Sequence, residues 1–510
     1  MDTQNILEMR NITKKFANVK ACNGVTFFVK SGEVHALLGE NGAGKTTLMN
    51  ILYGFYRPEE GEIYLKGQLT DIDSPKDAIS LGIGMVHQHF MLVPTLTVAE
   101  NVILGLTANL KKLDMEKAVE KVQQLSDQFN FQVDAKALVK DLSIGAQQKV
   151  ELLKAIYRGA DILILDEPTA VLTPQEVKEL FTILRQFVAM GKSVIFISHK
   201  LWEVMQISNR VTVLRQGGFV DVVQTAEITK EVLADMMVGR SVVLEYAKTP
   251  VASSEALLAL HGVCAEGDLP VSCLNEFSLC IKKGEVVGVA GVDGNGQREL
   301  AESIMGLRAV TKGQVCLNGK DITDMPIRKR IKLGMAHIPE DRLKQGLVLD
   351  FTVAENMALD TYDEPPLTCK GIFQPQKMQD IAQELIKEFD VRPPNYDAII
   401  RNFSGGNQQK VILAREFTRS PQFILAVQPT RGLDIGATEF VHRRLLAEKE
   451  KGAAVLMISA DLDEVLLVSD RVIVMYEGRI MGQFIPGEVS ITDIGLMMGG
   501  TPQERLGVCE

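Results

Sequence analysis

Gly39-Glu40-Asn41-Gly42-Ala43-Gly44-Lys45-Thr46 is the stretch on which the reading of this chain turns. Its spacing is G-x-x-x-x-G-K-T. The apolar run at residues 33–38 before it reads as a buried strand, and a helix is predicted from about Thr46. Between strand and helix, the glycines let backbone N–H groups turn inward around phosphate oxygens, and the helix N-terminus adds positive potential. Lys45 then reaches the outer phosphates of a nucleotide, and the Thr46 hydroxyl faces Mg²⁺.

Further along, Leu163-Ile164-Leu165-Asp166-Glu167 reads as a second apolar strand ending in two carboxylates. Taken alone, two acids after a strand read as a solvated loop. Behind a phosphate loop, Asp166 suits the metal, and Glu167 suits the orienting and deprotonation of an attacking water. Gln88 follows the apolar strand end at residues 84–87, where it can touch metal and water. His199 closes the strand at residues 194–198, where it can contact the γ-phosphate. Residues 91–157 turn helical in pattern, most clearly over 115–129.

The chain also repeats itself. Thr97-Val98-Ala99-Glu100-Asn101 returns as Thr352-Val353-Ala354-Glu355-Asn356. Leu142-Ser143-Ile144-Gly145-Ala146-Gln147-Gln148-Lys149 returns as Phe403-Ser404-Gly405-Gly406-Asn407-Gln408-Gln409-Lys410. An offset near 250–260 residues marks a duplicated domain, since solenoid repeats are far shorter. The length of 510 residues, too long for one core, agrees. The seam falls at residues 240–255, a short stretch with Pro and Ser and no periodic apolar pattern.

The order of these segments (39–46, Gln88, 142–148, Asp166–Glu167, His199) resembles the ATP-binding cassette of ABC transporters, over nearly the whole chain and twice. The resemblance implies an α/β fold. Two P-loop NTPase cassettes stand in tandem, each with an α/β core, an antiparallel β subdomain and a helical subdomain. The expected domains are residues 5–240, a linker at 241–255, and residues 256–505. ATP and Mg²⁺ are the implied cofactors. Gly39, Glu40, Asn41, Gly42, Ala43, Gly44, Lys45, Thr46 and Thr47 would bind the phosphates, with Phe16 stacking on adenine. Thr46, Gln88 and Asp166 would hold the metal. Glu167, His199 and Gln88 are the implied catalytic residues.

The second half departs from this pattern. Gly291-Val292-Asp293-Gly294-Asn295-Gly296-Gln297-Arg298 keeps the glycines but has Gln297 for the lysine and Arg298 for the threonine. Val427 and Gln428 replace the two acids, and Ala460 replaces His199. The Gln88 position falls at Ile338 or beside Glu340, and no aromatic matches Phe16. Losing one charge-assisted contact of roughly 1.5–3 kcal/mol weakens nucleotide about ten- to a hundredfold. Losing the general base removes about 10²–10⁴ in rate. That loop can still hold a nucleotide but hydrolyses it very slowly. The second signature, Ser404-Gly405-Gly406, is nevertheless intact, whereas Ile144 crowds the first. Cassettes of this family pair head to tail, each phosphate loop facing the other signature. The resemblance therefore implies one good site, made of residues 39–46 with Ser404, Gly405 and Gly406, and one poor site. Asp434, where the first half has Thr173, would lie in the loop that crosses towards the good site.

The remaining features narrow the class. A 46% hydrophobic and 24% charged composition suits a soluble globular protein, and no apolar run approaches the 18 or so residues of a membrane span. The first residues, MDTQNILEMR, carry no secretory signal, and seven scattered cysteines read as reduced cytosolic thiols. A formal charge of −10 makes bulk-charge binding of nucleic acid unexpected, and Arg328, Lys329, Arg330 and Lys332 read as a solvated helix face. His87 and His89 lack a third ligand at zinc-like spacing and read as flanking Gln88. Met236–Met237 and Met497–Met498 read as core packing.

By resemblance, the chain is the motor of an importer. It would sit peripherally on the cytoplasmic face of the membrane, with two integral-membrane permease subunits and an extracytoplasmic substrate-binding protein as partners. The stretch His87-Gln88-His89-Phe90-Met91-Leu92-Val93-Pro94 resembles the nucleoside branch more than the monosaccharide (ribose, galactose, xylose) branch. A soluble ribosome-associated twin cassette is the alternative of another class. Such proteins tend to keep both ATP sites and a long charged connector, and this sequence has neither. A DNA-repair or chromosome-organising ATPase would need a coiled coil or zinc insert between phosphate loop and signature.

Overall fold

Runs such as Ile162–Asp166 are apolar at successive positions, so both faces of each strand need cover. The computed structural model describes residues 5–16, 19–87, 91–105, 114–169, 172–198, 200–241, 246, 248, 250–251, 253–267 and 273–506. They fall into two compact units, Met1–Val242 and Val243–Glu510.

The first unit contains β1 (Asn5–Phe16), β2 (Val19–Lys30), β3 (Val34–Leu38), β4 (Glu60–Leu65), β5 (Gln68–Leu69), β6 (Ile83–Val86), β7 (Ile162–Asp166), β8 (Ser193–Ile197), β9 (Arg210–Arg215) and β10 (Gly218–Gln224). One sheet runs β10-β9-β3-β8-β7-β6, parallel except for the β9–β10 hairpin; the other is antiparallel, in the order β2-β1-β4-β5. Because side chains alternate along a strand, each central strand feeds two cores. Leu163, Leu165, Val194 and Phe196 join the helix Pro174–Ala189 on one side. Ile162, Ile164, Ile195 and Ile197 meet the helix Lys45–Leu52 and the antiparallel sheet on the other.

The second unit repeats this plan with β11 (Ala256–Ala265), β12 (Leu274–Lys282), β13 (Val286–Ala290), β14 (Lys312–Leu317), β15 (Lys320–Asp321), β16 (Met335–Ile338), β17 (Thr368–Cys369), β18 (Ile372–Phe373), β19 (Phe423–Val427), β20 (Ala454–Ile458), β21 (Arg471–Tyr476) and β22 (Arg479–Phe484). Its sheets run β16-β19-β20-β13-β21-β22 and β12-β11-β14-β15, the same orders as before, with a small β17–β18 hairpin added.

The helical part of the first unit contains Val98–Ile103, Met115–Gln128 and Ile144–Tyr157; its counterpart contains Val353–Ala358, Pro375–Glu388 and Gly405–Thr418. The repeated pentapeptide now has a physical meaning. Thr97 and Thr352 cap their helices in reciprocal capping boxes with Glu100 and Glu355. Asn101 and Asn356 are buried and hold the preceding loop by its backbone. The Asn101 Oδ1 accepts from the Val93 N–H at 2.7 Å, and the Asn356 Oδ1 accepts from the Val348 N–H at 2.9 Å. Met237, Met497 and Met498 are core residues as expected, whereas Met236 is only partly buried.

One expectation is corrected. Arg330 is not on a solvated face: it is 1% exposed, and its guanidinium donates to the carbonyls of Ser303, Ile304, Thr323 and Met325. Two of those carbonyls close the helix Gln297–Met305, where a cation satisfies the unpaired C-terminal groups. Arg328 instead pairs with Asp363.

Candidate functional site

The phosphate loop leaves the C-terminal end of β3, with strand β8 between β3 and β7, so residues 39–46 and Asp166 share one edge of the parallel sheet. Gly44 has φ 98° and caps the helix Lys45–Leu52. A Cβ there would lie 2.2 Å from the Ala21 carbonyl of β2, so the glycine also lets the antiparallel sheet close on the loop. That same hairpin carries Phe16, which is 40% exposed and stands edge-on to Tyr56 at 5.2 Å.

Lys45 is buried, and its ammonium donates to the carbonyls of Gly39 (2.7 Å) and Glu40 (3.0 Å). Burial pulls its pKa down, while the carboxylates of Glu167, Asp166 and Glu40 act against that. The Thr46 hydroxyl lies 3.5 Å from the Asp166 carboxylate. Burial, followed by the neighbouring Glu167 charge, pushes the Asp166 carboxyl up; Lys45 and Thr46 pull the other way. A buried carboxylate under such pressure beside a hydroxyl is a hard-oxygen set that suits Mg²⁺, which takes few protein ligands and completes its shell with water and phosphate. Glu167 adopts the left-handed φ of 47°, and its N–H donates to the Ile197 carbonyl at 3.0 Å. Thus β8 fixes the turn that carries the second acid. Gln88 and His199 lie outside the described residues.

The second unit has the same backbone with different chemistry. Gly296 has φ 99° and caps the helix Gln297–Met305. Gln297 braces its own loop: its Oε1 accepts from the Asn295 N–H at 3.0 Å, and its Nε2 donates to the Val292 carbonyl at 2.9 Å. Arg298 turns to Glu302 at 2.8 Å. Gln428 keeps the left-handed φ of 48° and the backbone bond to β20, through the Ile458 carbonyl at 2.7 Å. Its side-chain carbonyl accepts from the Ala460 N–H at 3.2 Å. The strand register pairs Val86 with Leu165 and Ile338 with Ala426, which puts Glu340 opposite Gln88 in the repeat.

The two signatures differ in the same local way. Ser143 caps its helix by accepting from the Ala146 N–H at 3.3 Å, and Ile144 is 48% exposed beside it. A Cβ on Gly145 would meet the Glu176 carboxylate at 2.2 Å. Ser404 makes no side-chain cap bond; its hydroxyl accepts from the Asn407 side chain at 2.9 Å, leaving the first helical N–H groups without a cap from it. Near Gly406, Ala437 stands where the first unit has Glu176, and Asp434 is the N-cap of Ile435–Glu450 as Thr173 is of Pro174–Ala189.

One pair of residues escaped the sequence reading. Glu203 is fully buried and accepts from the hydroxyls of Thr169 (2.6 Å) and Ser198 (2.9 Å), tying the loop after Glu167 to the end of β8. Glu464 does the same with Thr430 (2.7 Å) and Ser459 (2.5 Å), and also faces His442 at 2.9 Å. The repeat itself held the signal, since Ser198 and Glu203 recur in register as Ser459 and Glu464.

The family model described as ABC transporter matches residues 22–170 and 274–431. The chain is 47% identical to the guanosine import ATP-binding protein NupO of Bacillus subtilis (strain 168), over 98% of this chain and 99% of that protein. It is also 47% identical to the nucleoside import ATP-binding protein NupA of Lactococcus lactis subsp. cremoris (strain MG1363), with the same coverage. The glucose import ATP-binding protein TsgD13 of Haloferax volcanii is 43% identical over 98% of this chain and 96% of that protein. Among solved structures, an archaeal ribosome recycling factor in complex with a ribosomal stalk protein gives a TM-score of 0.63 at 20% identity, covering 96% of this chain and 92% of that one. At that identity the likeness concerns the fold alone. Both units carry the match to the family model and the relatives extend from end to end, so the chain belongs to the ABC transporter family, as two ATP-binding cassettes in tandem.

Proposed function

We propose that this chain is the ATP-hydrolysing subunit of a nucleoside importer, with one competent ATP site per chain. One observation carries the reading: the cluster of Lys45, Thr46, Asp166 and Glu167, with Lys45 and Asp166 buried, occurs once, while its counterpart is Gln297, Arg298, Val427 and Gln428. Nucleoside as substrate is supported by the names of two full-length relatives at 47% identity. The glucose-import relative at 43% keeps a monosaccharide importer as the second reading.

In this mechanism Lys45 gives up its loop carbonyls for the β- and γ-phosphates. Thr46 and Asp166, joined by Gln88, would hold Mg²⁺, which would supply positive charge against the phosphate oxygens. The loop N–H groups and Thr47 fix the phosphates, and Phe16 stacks on adenine. Glu167 orients a water towards the γ-phosphorus and takes its proton as the water oxygen bonds to phosphorus and the bridge to the β-phosphate breaks. His199 contacts the γ-phosphate. Ser404, Gly405 and Gly406 of the second signature, with Asp434 beside them, would receive a γ-phosphate on their N–H groups. We take the domains as residues 5–240 and 256–505, joined by a linker at 241–255.

No helix among the described residues is long and apolar enough to cross a membrane. We place the chain peripherally at the cytoplasmic face, driving two permease subunits fed by an extracytoplasmic binding protein. Vesicles holding the assembled complex provide the test. ATP-dependent uptake of labelled guanosine with no uptake of ribose is expected. Uptake of ribose alone replaces the reading with the sugar importer. Ribosomal RNA recovered with the chain, and no permease, moves it to the ribosome-associated class.

A further inference from the structure

We propose that Arg342 is a phosphate-binding residue of the second signature, its guanidinium adding a fixed positive charge to the N–H groups of Ser404, Gly405 and Gly406 for the γ-phosphate of ATP. This rests on the reading above that the second signature receives the nucleotide. The first observation is contact. A Cβ on Gly405 would lie 2.6 Å from Arg342 Nη2, so the guanidinium packs on the signature glycine itself, and Gly432 lies near it on the far side.

The second observation is how the arginine is held. Residues Arg342–Gly346 form a short π-helical turn, a geometry common at functional sites. Asp341 caps that turn, accepting from the N–H groups of Leu343 (3.0 Å) and Lys344 (3.1 Å). Arg342 Nη1 donates to the Arg431 carbonyl at 2.7 Å, which fixes the plane of the guanidinium.

The third observation is charge. The nearby acids are engaged elsewhere: Glu340 pairs with Arg431, Asp341 caps the turn and faces Lys344 at 3.7 Å, and Asp434, which would lie 3.9 Å from a Cβ on Gly406, caps its own helix through the Ala437 N–H. Arg342 is left without a carboxylate among the described residues, and its buried Nε has no acceptor there. Burial lowers its pKa, with Asp341 acting against that, yet an arginine stays charged at neutral pH. A half-buried guanidinium with no ion-pair partner among the described residues, set against a glycine at a helix N-terminus, is suited to receive an anion.

The first unit shows the contrast in sequence. Ile144 stands for Gly405, so a branched apolar side chain replaces the signature glycine on which Arg342 packs. There the neighbour of the signature is the Glu176 carboxylate, which repels phosphate.

ATP and ADP binding to the full chain carrying Glu167→Gln, which stops turnover, tests the proposal. Adding Arg342→Met keeps the aliphatic stem. It should weaken ATP about tenfold or more, the size of a lost charge-assisted bond. ADP affinity and the thermal unfolding midpoint should stay unchanged, and Arg342→Lys should recover part of the ATP loss. Equal weakening of ATP and ADP, or a lowered midpoint without nucleotide selectivity, makes Arg342 a structural brace and overturns the proposal. Ser404→Ala separates the two layers. If it weakens ATP selectively and Arg342→Met does not, Arg342 is excluded and the signature reading stands. If neither variant affects ATP, the signature reading fails and takes Arg342 with it.

Discussion

The loops at residues 39–46 and 291–298 share a backbone and differ in what that backbone holds. Gly44 and Gly296 have φ of 98° and 99°, and each caps a helix that leaves the edge of a six-stranded sheet of identical order. In one loop a buried ammonium rests on two carbonyls and can be drawn away by a stronger anion. In the other a neutral amide spans the loop, satisfied at both ends, and gains nothing from phosphate charge. The two loops therefore share a backbone geometry while presenting different side-chain chemistry, and on the proposed reading that difference separates a working cassette from an idle one.

The sharpest way to break this comparison is at the acids. Glu167→Gln should cut ATP turnover by about 10²–10⁴-fold or more while ATP still binds. Gln428→Glu should restore little, because Val427 and Ala460 remain beside it. Next in size, Lys45→Ala should weaken ATP about ten- to a hundredfold, whereas Gln297→Ala should leave ATPase activity within about twofold. Equal losses in a steady-state assay would mean that both loops work.

The buried glutamates sharpen the comparison from the other side. Glu203→Gln and Glu464→Gln should each lower the stability of their own unit by about 1–3 kcal/mol in denaturant titrations. Similar losses assign the bridge to the fold, since the second unit keeps it without the catalytic acids. Burial raises the Glu464 carboxyl, but the hydrogen bonds from His442, Ser459 and Thr430 outweigh that and hold it below the ordinary range. Its contribution should be present at neutral pH and fade as pH falls through the depressed value.

A smaller effect separates the units by pH alone. His337, where the first unit has Met85, is pulled down to about 4 by burial and then by Arg415. The unfolded chain takes its proton near the ordinary value of 6.5, so the second unit should lose stability as pH falls from there towards 4. At pH 5 the loss should be about 2 kcal/mol, and His337→Met should remove it from the unfolding curve.

The phosphate loop, the two acids and the repeat were legible because each is a matter of residue type at fixed spacing. The strands at β7 and β8 were legible for a related reason, since a short run that is apolar at every position has few other uses. What escaped depends on groups from distant segments. Glu203 lies in a helix, Leu201–Ile207, whose sequence gives no hint of burial; Thr169 and Ser198 converge on it only in the fold. Arg330 sits among other basic residues and reads as solvated until the carbonyls at 303, 304, 323 and 325 are brought around it. The Gln88 equivalent, open between Ile338 and Glu340 in sequence, needed the pairing register of β16 with β19.

The central claim is one competent site per chain, and counting nucleotides tests it most directly. With the Glu167→Gln chain saturated with ATP and Mg²⁺, equilibrium binding should give one tight ATP per 510-residue chain, lost on adding Lys45→Ala and retained on adding Gln297→Ala. Two ATP molecules of equal affinity per chain would contradict the account.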